Sequence, residues 1–380
     1  MKKCFYHAYN NADTAQQRRR QQKILIIVLA VFTLFRIFMF MSTPMFGLGD
    51  TEYDDLLLAR HAQSLAAGRW LGSYSSSTLV KGISFPVFLA VCTKLFIPFL
   101  LAAGCTYILS IVSFVYAIKP AVPSAGARSA IYLFLLYSPA MLSSDTGQRL
   151  YNLTLIPAGV LFTVSGLIAV FLRKKGSLKD ILPWSLMASA GVVFFWYLRD
   201  DSVWLLPFIL GAILITVIYV WKEKYAWKLK LQKSLLVFMP VLCLAAASLA
   251  VSAVNYAAYG VFTTNDRTGT NFAKVISDLQ RIEGTEAGET IWITQDVVRK
   301  AMDVSPALAE SKPQIDSMFS GAWANNGEIS GDLIVWTLRE AFSSAGYYEN
   351  AAKANEYFGR VHEELQIGFK EGLLTEKKAV

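Results

Sequence analysis

The sequence predicts an all-α polytopic membrane protein with about seven transmembrane helices, a re-entrant or interfacial helix and a small, mostly helical C-terminal domain outside the cytoplasm. Hydrophobic residues make up 54% of the 380 positions and charged residues only 17%, against roughly 25% charged in an average soluble domain. Several apolar runs approach the ~20 residues that span a bilayer. Residues 1–255 carry 24 Lys and Arg against 10 Asp and Glu, whereas residues 256–380 carry 12 against 18.

The first apolar run, residues 24–41, follows a basic cluster at 18–23. A signal peptide is the alternative to a membrane helix, but its apolar region would be shorter and a small-residue cleavage site should follow it. The run is long, and residues 41–46 fit such a site poorly. We therefore expect an uncleaved transmembrane helix whose N-terminal segment, residues 1–23, lies in the cytoplasm.

Basic clusters between the later apolar segments predict the topology. The apolar segments lie near 83–97, 98–118, 129–143, 153–172, 182–198, 203–221 and 234–255. The positive-inside rule places the basic clusters 119–128, 173–179 and 222–233 in the cytoplasm. This placement requires residues 83–118 to cross only once, with 83–97 as the re-entrant or interfacial helix. The result is seven crossings in a cell membrane, with an outward-facing C-terminus.

Three regions follow from this topology: the basic N-terminus 1–23, a transmembrane module 24–255 with an outer loop 44–80, and an extracytoplasmic, mostly helical domain 256–380. The positive charge belongs to the apolar module, and the acidic domain is poorly suited to nucleic acid, so no nucleic-acid partner is expected. That domain has no cysteine and therefore no disulfide framework, and the three histidines of the chain lack zinc-ligand spacing.

Four acidic residues are concentrated in the outer loop: Asp50, Glu52, Asp54 and Asp55. Residues 53–67 have helical spacing, so Asp54 and Asp55 lie in the first turn of an interfacial helix. Capping of that helix is one explanation, but a cap needs only one such residue. Because a helix N-terminus favours an ionised carboxylate, the cluster also suits a general base, and we favour that role.

Lys81 stands in Lys81-Gly82-Ile83-Ser84-Phe85-Pro86, where the chain re-enters the membrane. An interfacial lysine can simply extend its ammonium to water. Alternatively, it is a compact cation for a lipid phosphate, with Gly82 allowing close backbone approach. The residues leave both interpretations open.

Two further outer turns carry charged residues. In the first, Arg149 is a candidate phosphate ligand with planar donors. Asp145 either orients Arg149 or a substrate hydroxyl, or belongs to a solvated turn. In the second, Arg199 either pairs with Asp201 at a hairpin tip or faces the same cavity as Asp54 and Lys81. We expect Arg149 and Arg199 to bind phosphate, and Asp50, Glu52, Asp145 and Asp201 to contact substrate.

The order of these features resembles the GT-C glycosyltransferases, in particular the protein O-mannosyltransferase and lipid A aminoarabinose transferase branch. One crossing is followed by an outer loop with the paired acids Asp54-Asp55, and then by Lys81-Gly82-x-x-x-Pro86-x-Phe88-Leu89 at membrane re-entry. The resemblance covers about residues 20–255.

The resemblance implies transfer of a sugar from a polyprenyl-phosphate carrier to an envelope acceptor on the outer face, with inversion at the anomeric carbon. It assigns the general base to Asp54, a site-shaping role to Asp55 and the contact with the carrier phosphate to Lys81. The donor would be a polyprenyl-phosphate sugar. A divalent cation held by the acids is an alternative that we do not favour, since the resembled branch generally works without one.

The chain departs from the family pattern in three ways. The second acid is Asp rather than Glu, Lys81 is followed by Gly rather than Pro-Pro, and a soluble segment follows where many members have further crossings. Two other functions stay open: a lipid or polysaccharide transporter, and a non-catalytic assembly protein whose segment 256–380 binds a membrane-protein partner.

Overall fold

The chain forms two compact units, seen in a computed structural model that describes residues 2–49, 53–285 and 290–377, with side chains from Arg20 onward. The membrane unit comprises residues 1–62 and 83–244, and the C-terminal unit comprises residues 63–82 and 245–380. These units differ from the predicted regions. The outer loop is divided after residue 62, and the later boundary lies inside a helix at residue 244 rather than at residue 255.

Helices build nearly all of the membrane unit, and two of them continue into the C-terminal unit. They are α1 (Lys2–Ser42), α2 (Asp55–Ala66), α3 (Ser84–Lys94), α4 (Phe99–Ala117), α5 (Ala125–Leu136), α6 (Ser144–Gly147), α7 (Ile156–Leu172), α8 (Leu178–Trp196), α9 (Leu206–Lys222) and α10 (Trp227–Tyr259). Short 3-10 turns occupy Pro139–Met141, Asn152–Thr154 and Ser202–Leu205.

The predicted polytopic membrane character is confirmed. Within the described residues, six helical segments are long and apolar enough to cross a bilayer: Arg20–Ser42, Phe99–Ala117, Asn152–Leu172, Leu178–Trp196, Ser202–Lys222 and Trp227–Tyr259. Large apolar side chains point outward from them, as Leu34 and Phe208 do at 65% and 68% exposure. Such surfaces are costly in water and favourable in lipid.

The predicted segment 129–143 does not form a helix of crossing length. Its helix, α5, has 12 residues, or about 18 Å at the rise of an α-helix, against a hydrocarbon core of about 30 Å. Pro139 opens a 3-10 turn just after it. A proline disfavours helical geometry at the residue before it, so α5 does not continue through Ser138. The segment expected to be re-entrant or interfacial, α3, is also short, at 11 residues.

Small residues let α7 and α8 pack closely. A Cβ atom at Gly166 would lie 2.4 Å from the backbone nitrogen of Ala188, and one at Gly191 would lie 2.6 Å from that of Thr163. Neither glycine could be enlarged without moving a helix backbone. Close approach through small residues is the usual packing mode of membrane helices, which gain little from the hydrophobic effect in lipid.

The C-terminal unit is mostly helical. Its further elements are α11 (Asp266–Gly269), α12 (Asn271–Arg281), α13 (Gln295–Val304), α14 (Pro306–Ala309), α15 (Lys312–Met318), β1 (Ala324–Asn325), β2 (Glu328–Ile329), α16 (Leu333–Ser344) and α17 (Ala351–Lys370). Two of these helices, α16 and α17, bury an apolar face. Their inner faces meet α12 in an aromatic core. There the ring centroid of Phe358 lies 5.1 Å from the ring centroids of Phe272 and Phe342.

A two-residue turn joins the only two strands found in the described residues. Asn326 and Gly327 adopt φ of 52° and 81°, the left-handed conformations that an Asn-Gly hairpin turn requires. The strands pair Ala324 with Ile329, and Ile329 is fully buried. The hairpin is thereby fixed to the core of the C-terminal unit.

The segment 63–82 packs as part of the C-terminal unit rather than as a free loop. The backbone N–H of Asp266 donates to the Leu79 carbonyl at 2.7 Å, and Arg339 Nε donates to the Ser76 carbonyl at 2.6 Å. Leu79 and Val80 are 2% and 0% exposed. This segment, hereafter the inserted segment, therefore depends on residues far along the chain.

Candidate functional site

The paired acids lie at the N-terminus of α2 in the membrane unit, as the sequence predicted. The Asp54 carbonyl accepts the N–H of Leu58 at 3.1 Å, which makes Asp54 the residue that caps the helix, and α2 begins at Asp55. Asp55 is only 3% exposed, whereas Asp54 is half-buried. The two neighbouring carboxylates therefore have different surroundings.

Asp55 forms a buried ion pair with Arg149. Arg149 Nε lies 3.1 and 3.0 Å from the two carboxylate oxygens, and Nη2 lies 2.6 Å from Oδ1. The backbone N–H of Leu48 adds a third donor, at 2.9 Å from Oδ2. The hydrogen bonds to Asp55 are the main cause of the raised pKa of Arg149. Three donor groups therefore hold the Asp55 carboxylate in place.

A backbone clip holds the pair in place. The N–H of Phe46 donates to the Gln148 carbonyl at 3.3 Å, and the N–H of Leu150 donates to the Phe46 carbonyl at 2.8 Å. Thr154 Oγ1 also donates to the Arg149 carbonyl at 2.7 Å. These bonds join the start of the outer loop to the turn before α7, and so they bring Arg149 to Asp55.

Asp54 has a different partner, the phenol of Tyr151. The Tyr151 hydroxyl donates to Asp54 Oδ1 at 3.0 Å. Burial and the charge of Asp54 raise the pKa of Tyr151, which therefore stays protonated as a donor. The Arg149 guanidinium lies 4.3 Å from the Tyr151 ring centroid. The sequence interpretation missed Tyr151, although it lies two residues after a charged residue that it had selected.

Arg199 and Asp201 pair with each other, which is the first of the two arrangements that the sequence left open. Arg199 Nε and Nη2 lie 2.5 and 2.6 Å from the two carboxylate oxygens of Asp201. This bonding is the main cause of the raised pKa of Arg199. The tip is tied to the turn before α7 by Asn152, whose amide donates to the Leu198 carbonyl at 3.0 Å.

The other residues predicted to contact substrate are Asp145, Asp50 and Glu52. Asp145 is exposed in the first turn of the four-residue helix α6, which fits the solvated-turn interpretation. Asp50 and Glu52 lie outside the described residues. Within the described residues, no three His, Cys, Asp or Glu side chains form a group that could hold a metal ion.

Lys81 belongs to the C-terminal unit. Its ammonium lies 5.2 Å from the ring centroid of Trp336, and the Arg267 guanidinium lies 4.7 Å from the same ring. Arg267 also lies 3.7 Å from Asp332. One indole thus contacts two cations, which is a cation–π arrangement. Arg267 follows the apolar segments and matched none of the patterns read from the sequence, so it was not predicted.

Acidification should destabilise the membrane unit through His61, which is 3% exposed in α2. Burial lowers the pKa of His61 to about 4, against about 6.5 in an unfolded chain. Between these values the unfolded state binds a proton that the folded state excludes. Stability should therefore fall, by up to about 3 kcal/mol, as the pH drops from about 6.5 to 4.

Thermal unfolding of the purified protein between pH 4 and 7 measures this effect. The slope that belongs to His61 is the difference between wild type and His61→Leu, because the carboxylates that titrate in the same range are present in both proteins. Identical pH profiles would contradict the assignment.

Comparison with known proteins gives no further assignment. No family model, no curated protein and no solved structure matches this chain. The GT-C resemblance therefore rests on Asp54-Asp55, Lys81-Gly82 and the order of segments around them.

Proposed function

We propose that the protein is a glycosyltransferase of the cell membrane that moves a sugar from a polyprenyl-phosphate donor to an envelope acceptor on the outer face. The observation that carries this proposal is the contrast between neighbouring carboxylates. Asp54 is half-buried with a phenol donor, whereas Asp55 is buried in an ion pair with Arg149. Dissimilar surroundings for two acids commonly accompany a division of roles between them.

Asp54 is the general base in this proposal. A base must reach the proton that it removes, and Asp54, unlike Asp55, is partly exposed. Asp55 supports the site by holding Arg149, which stands two residues before Tyr151 in the turn that the backbone clip fixes. The Tyr151 hydroxyl orients the Asp54 carboxylate through its hydrogen bond to Oδ1.

The reaction needs one bond to form and one to break. The acceptor oxygen attacks the anomeric carbon while its proton passes to Asp54, and the bond from that carbon to the lipid-phosphate oxygen breaks. The leaving phosphate keeps the electron pair and gains a negative charge. Attack opposite the leaving group inverts the anomeric centre. Cations near the leaving oxygen speed this step because they stabilise the charge that develops there.

Lys81 is the proposed ligand of the carrier phosphate, with Arg267 beside the same indole as a second cation. Arg149 and Arg199 are weaker candidates than the sequence indicated, because each directs Nε and Nη2 to an aspartate. Each guanidinium would have only its two Nη1 N–H donors and the second Nη2 N–H donor left for a phosphate. A guanidinium that already has a bidentate carboxylate partner gains less from a second anion.

The topology belongs to the same proposal. Seven crossings with the C-terminal unit outside the cytoplasm require residues 125–143, which contain α5 and a 3-10 turn, to complete one crossing. The basic clusters 119–128, 173–179 and 222–233 support this orientation through the positive-inside rule.

A transfer assay tests the proposal. Purified protein in lipid nanodiscs is supplied with fluorescent short-chain polyprenyl-phosphate sugars, and release of the polyprenyl phosphate is followed with and without envelope extract as acceptor. We expect release that persists in the presence of a chelator. Lys81→Ala should raise KM for the donor roughly tenfold to a hundredfold, the loss expected for a bond to a charged group. No release from any donor sugar, or an unchanged KM in the variant, would contradict the proposal.

A further inference from the structure

A small cavity of about 270 Å³ lies in the C-terminal unit, between α15, α16 and the chain that leads into the hairpin. Its lining includes Gln314, Ser317, Met318, Trp323, Glu340 and Ser344. Drug-sized ligands occupy pockets of roughly 300–1,000 Å³. A cavity just below that range fits a ligand of about one ring.

Trp323 provides a flat apolar wall and remains 51% exposed. The hairpin fixes its position, since Ala324, the next residue, begins β1 and its N–H donates to the Gly321 carbonyl at 3.0 Å. The same unit buries Phe272, Phe342 and Phe358 in its core. An indole left half in water beside a cavity is available to pack against a ligand.

The other walls supply hydrogen-bonding groups. Thr337, Glu340 and Ser344 recur at helical spacing along one face of α16, and Gln314 and Ser317 extend from α15. Glu340 is exposed. Gln314 Oε1 is buried and has no hydrogen-bond partner among the described residues, and an unsatisfied buried amide oxygen is costly. Because the Gln314 side chain lines the cavity, its amide group is the nearest one to a ligand hydroxyl on this wall.

We propose that this cavity binds one pyranose ring of a carbohydrate. The C–H face of the ring packs on the Trp323 indole, and its hydroxyls bind the Glu340 carboxylate and the Gln314 amide. No Lys or Arg is among the described residues that line the cavity, which disfavours a phosphate, and the carboxylate disfavours a purely aliphatic chain. The inference goes beyond sugar transfer and does not depend on it, because the binding needs no reaction at Asp54.

Saturation-transfer NMR on the full chain in lipid nanodiscs tests the proposal. Nanodiscs are chosen because glycoside detergents would compete for the cavity. The probes are the methyl pyranosides of glucose, galactose, mannose and N-acetylglucosamine. We expect at least one to bind with a millimolar Kd, and Trp323→Ala to weaken that binding at least tenfold while Trp323→Phe retains part of it.

Trp292 offers a matched control, since it is 46% exposed in the same unit and does not line the cavity. Trp292→Ala should leave the Kd within twofold of wild type. Glu340→Gln, on the surface, should weaken binding without lowering the melting temperature, which separates recognition from folding. The proposal is overturned if no pyranoside binds, or if Trp323→Ala and Trp292→Ala have the same Kd. Neither result would bear on sugar transfer by Asp54.

Discussion

Asp54→Asn should lower kcat for sugar transfer by about 10²- to 10⁴-fold, the usual contribution of a positioned general base. The substitution suits the test because it removes the basic oxygen with little change of structure. Asparagine caps a helix about as well as aspartate, and its amide oxygen can still accept the Tyr151 hydroxyl. We expect KM for the polyprenyl-phosphate donor to stay near the wild-type value. Both parameters come from the nanodisc transfer assay.

Asp55→Asn provides the contrast to this variant. Arg149, 13% exposed along its side chain, would lose the charge that it faces, so this variant should unfold at lower temperature as well as lose activity. Full transfer by Asp54→Asn would remove Asp54 from the role of base. Equal loss of stability in the two variants would show that the acids act together in holding the fold.

Arg339→Met should destabilise the C-terminal unit by about 3–5 kcal/mol, the range found when one partner of a buried ion pair is removed. Arg339 is 1% exposed, and its Nη2 lies 2.6 Å from Asp266 Oδ2. Methionine fills similar space but leaves Asp266 as a buried, unpaired carboxylate. It also releases the Ser76 carbonyl, which Arg339 Nε binds. Thermal unfolding and the rate of proteolysis within 63–82 report the two effects.

Lys353→Met is the control, because Lys353 is a cation of the same unit in an exposed pair with Glu349. Its effect should stay below about 1 kcal/mol. Adding Asp266→Asn to Arg339→Met should recover part of the loss, since the carboxylate is then neutral. Equal melting temperatures for Arg339→Met and Lys353→Met would contradict the structural role given to Arg339.

Hydropathy predicted most of the membrane helices because burial in lipid acts on each segment separately. The predicted run 98–118 became Phe99–Ala117, and 153–172 corresponds to Asn152–Leu172. For residues 129–143 the prediction counted apolar residues and gave no weight to Pro139, so it expected a helix that extends beyond the end of α5. A single residue without an N–H ends a helix that composition alone would extend.

The candidate site was only partly predictable. Helical spacing placed Asp54 and Asp55 at the start of α2, since that inference uses neighbouring residues. The pairing of Asp55 with Arg149 joins positions 94 residues apart, and no local pattern specifies such a contact. Arg149 was therefore expected to face a phosphate rather than a carboxylate. The connection of the inserted segment to Asp266 and Arg339 was missed for the same reason.

The inserted segment packs against residues that are translated much later, and this order has a consequence for biogenesis. Residues 63–82 leave the ribosome well before residues 245–380, yet Ser76 and Leu79 bind Arg339 and Asp266. Until those residues are translated, burial cannot offset the entropy lost on ordering the segment. A nascent chain stopped before Arg339 would thus expose this stretch to proteases and chaperones, and protection of the stretch would show that Arg339 has been translated.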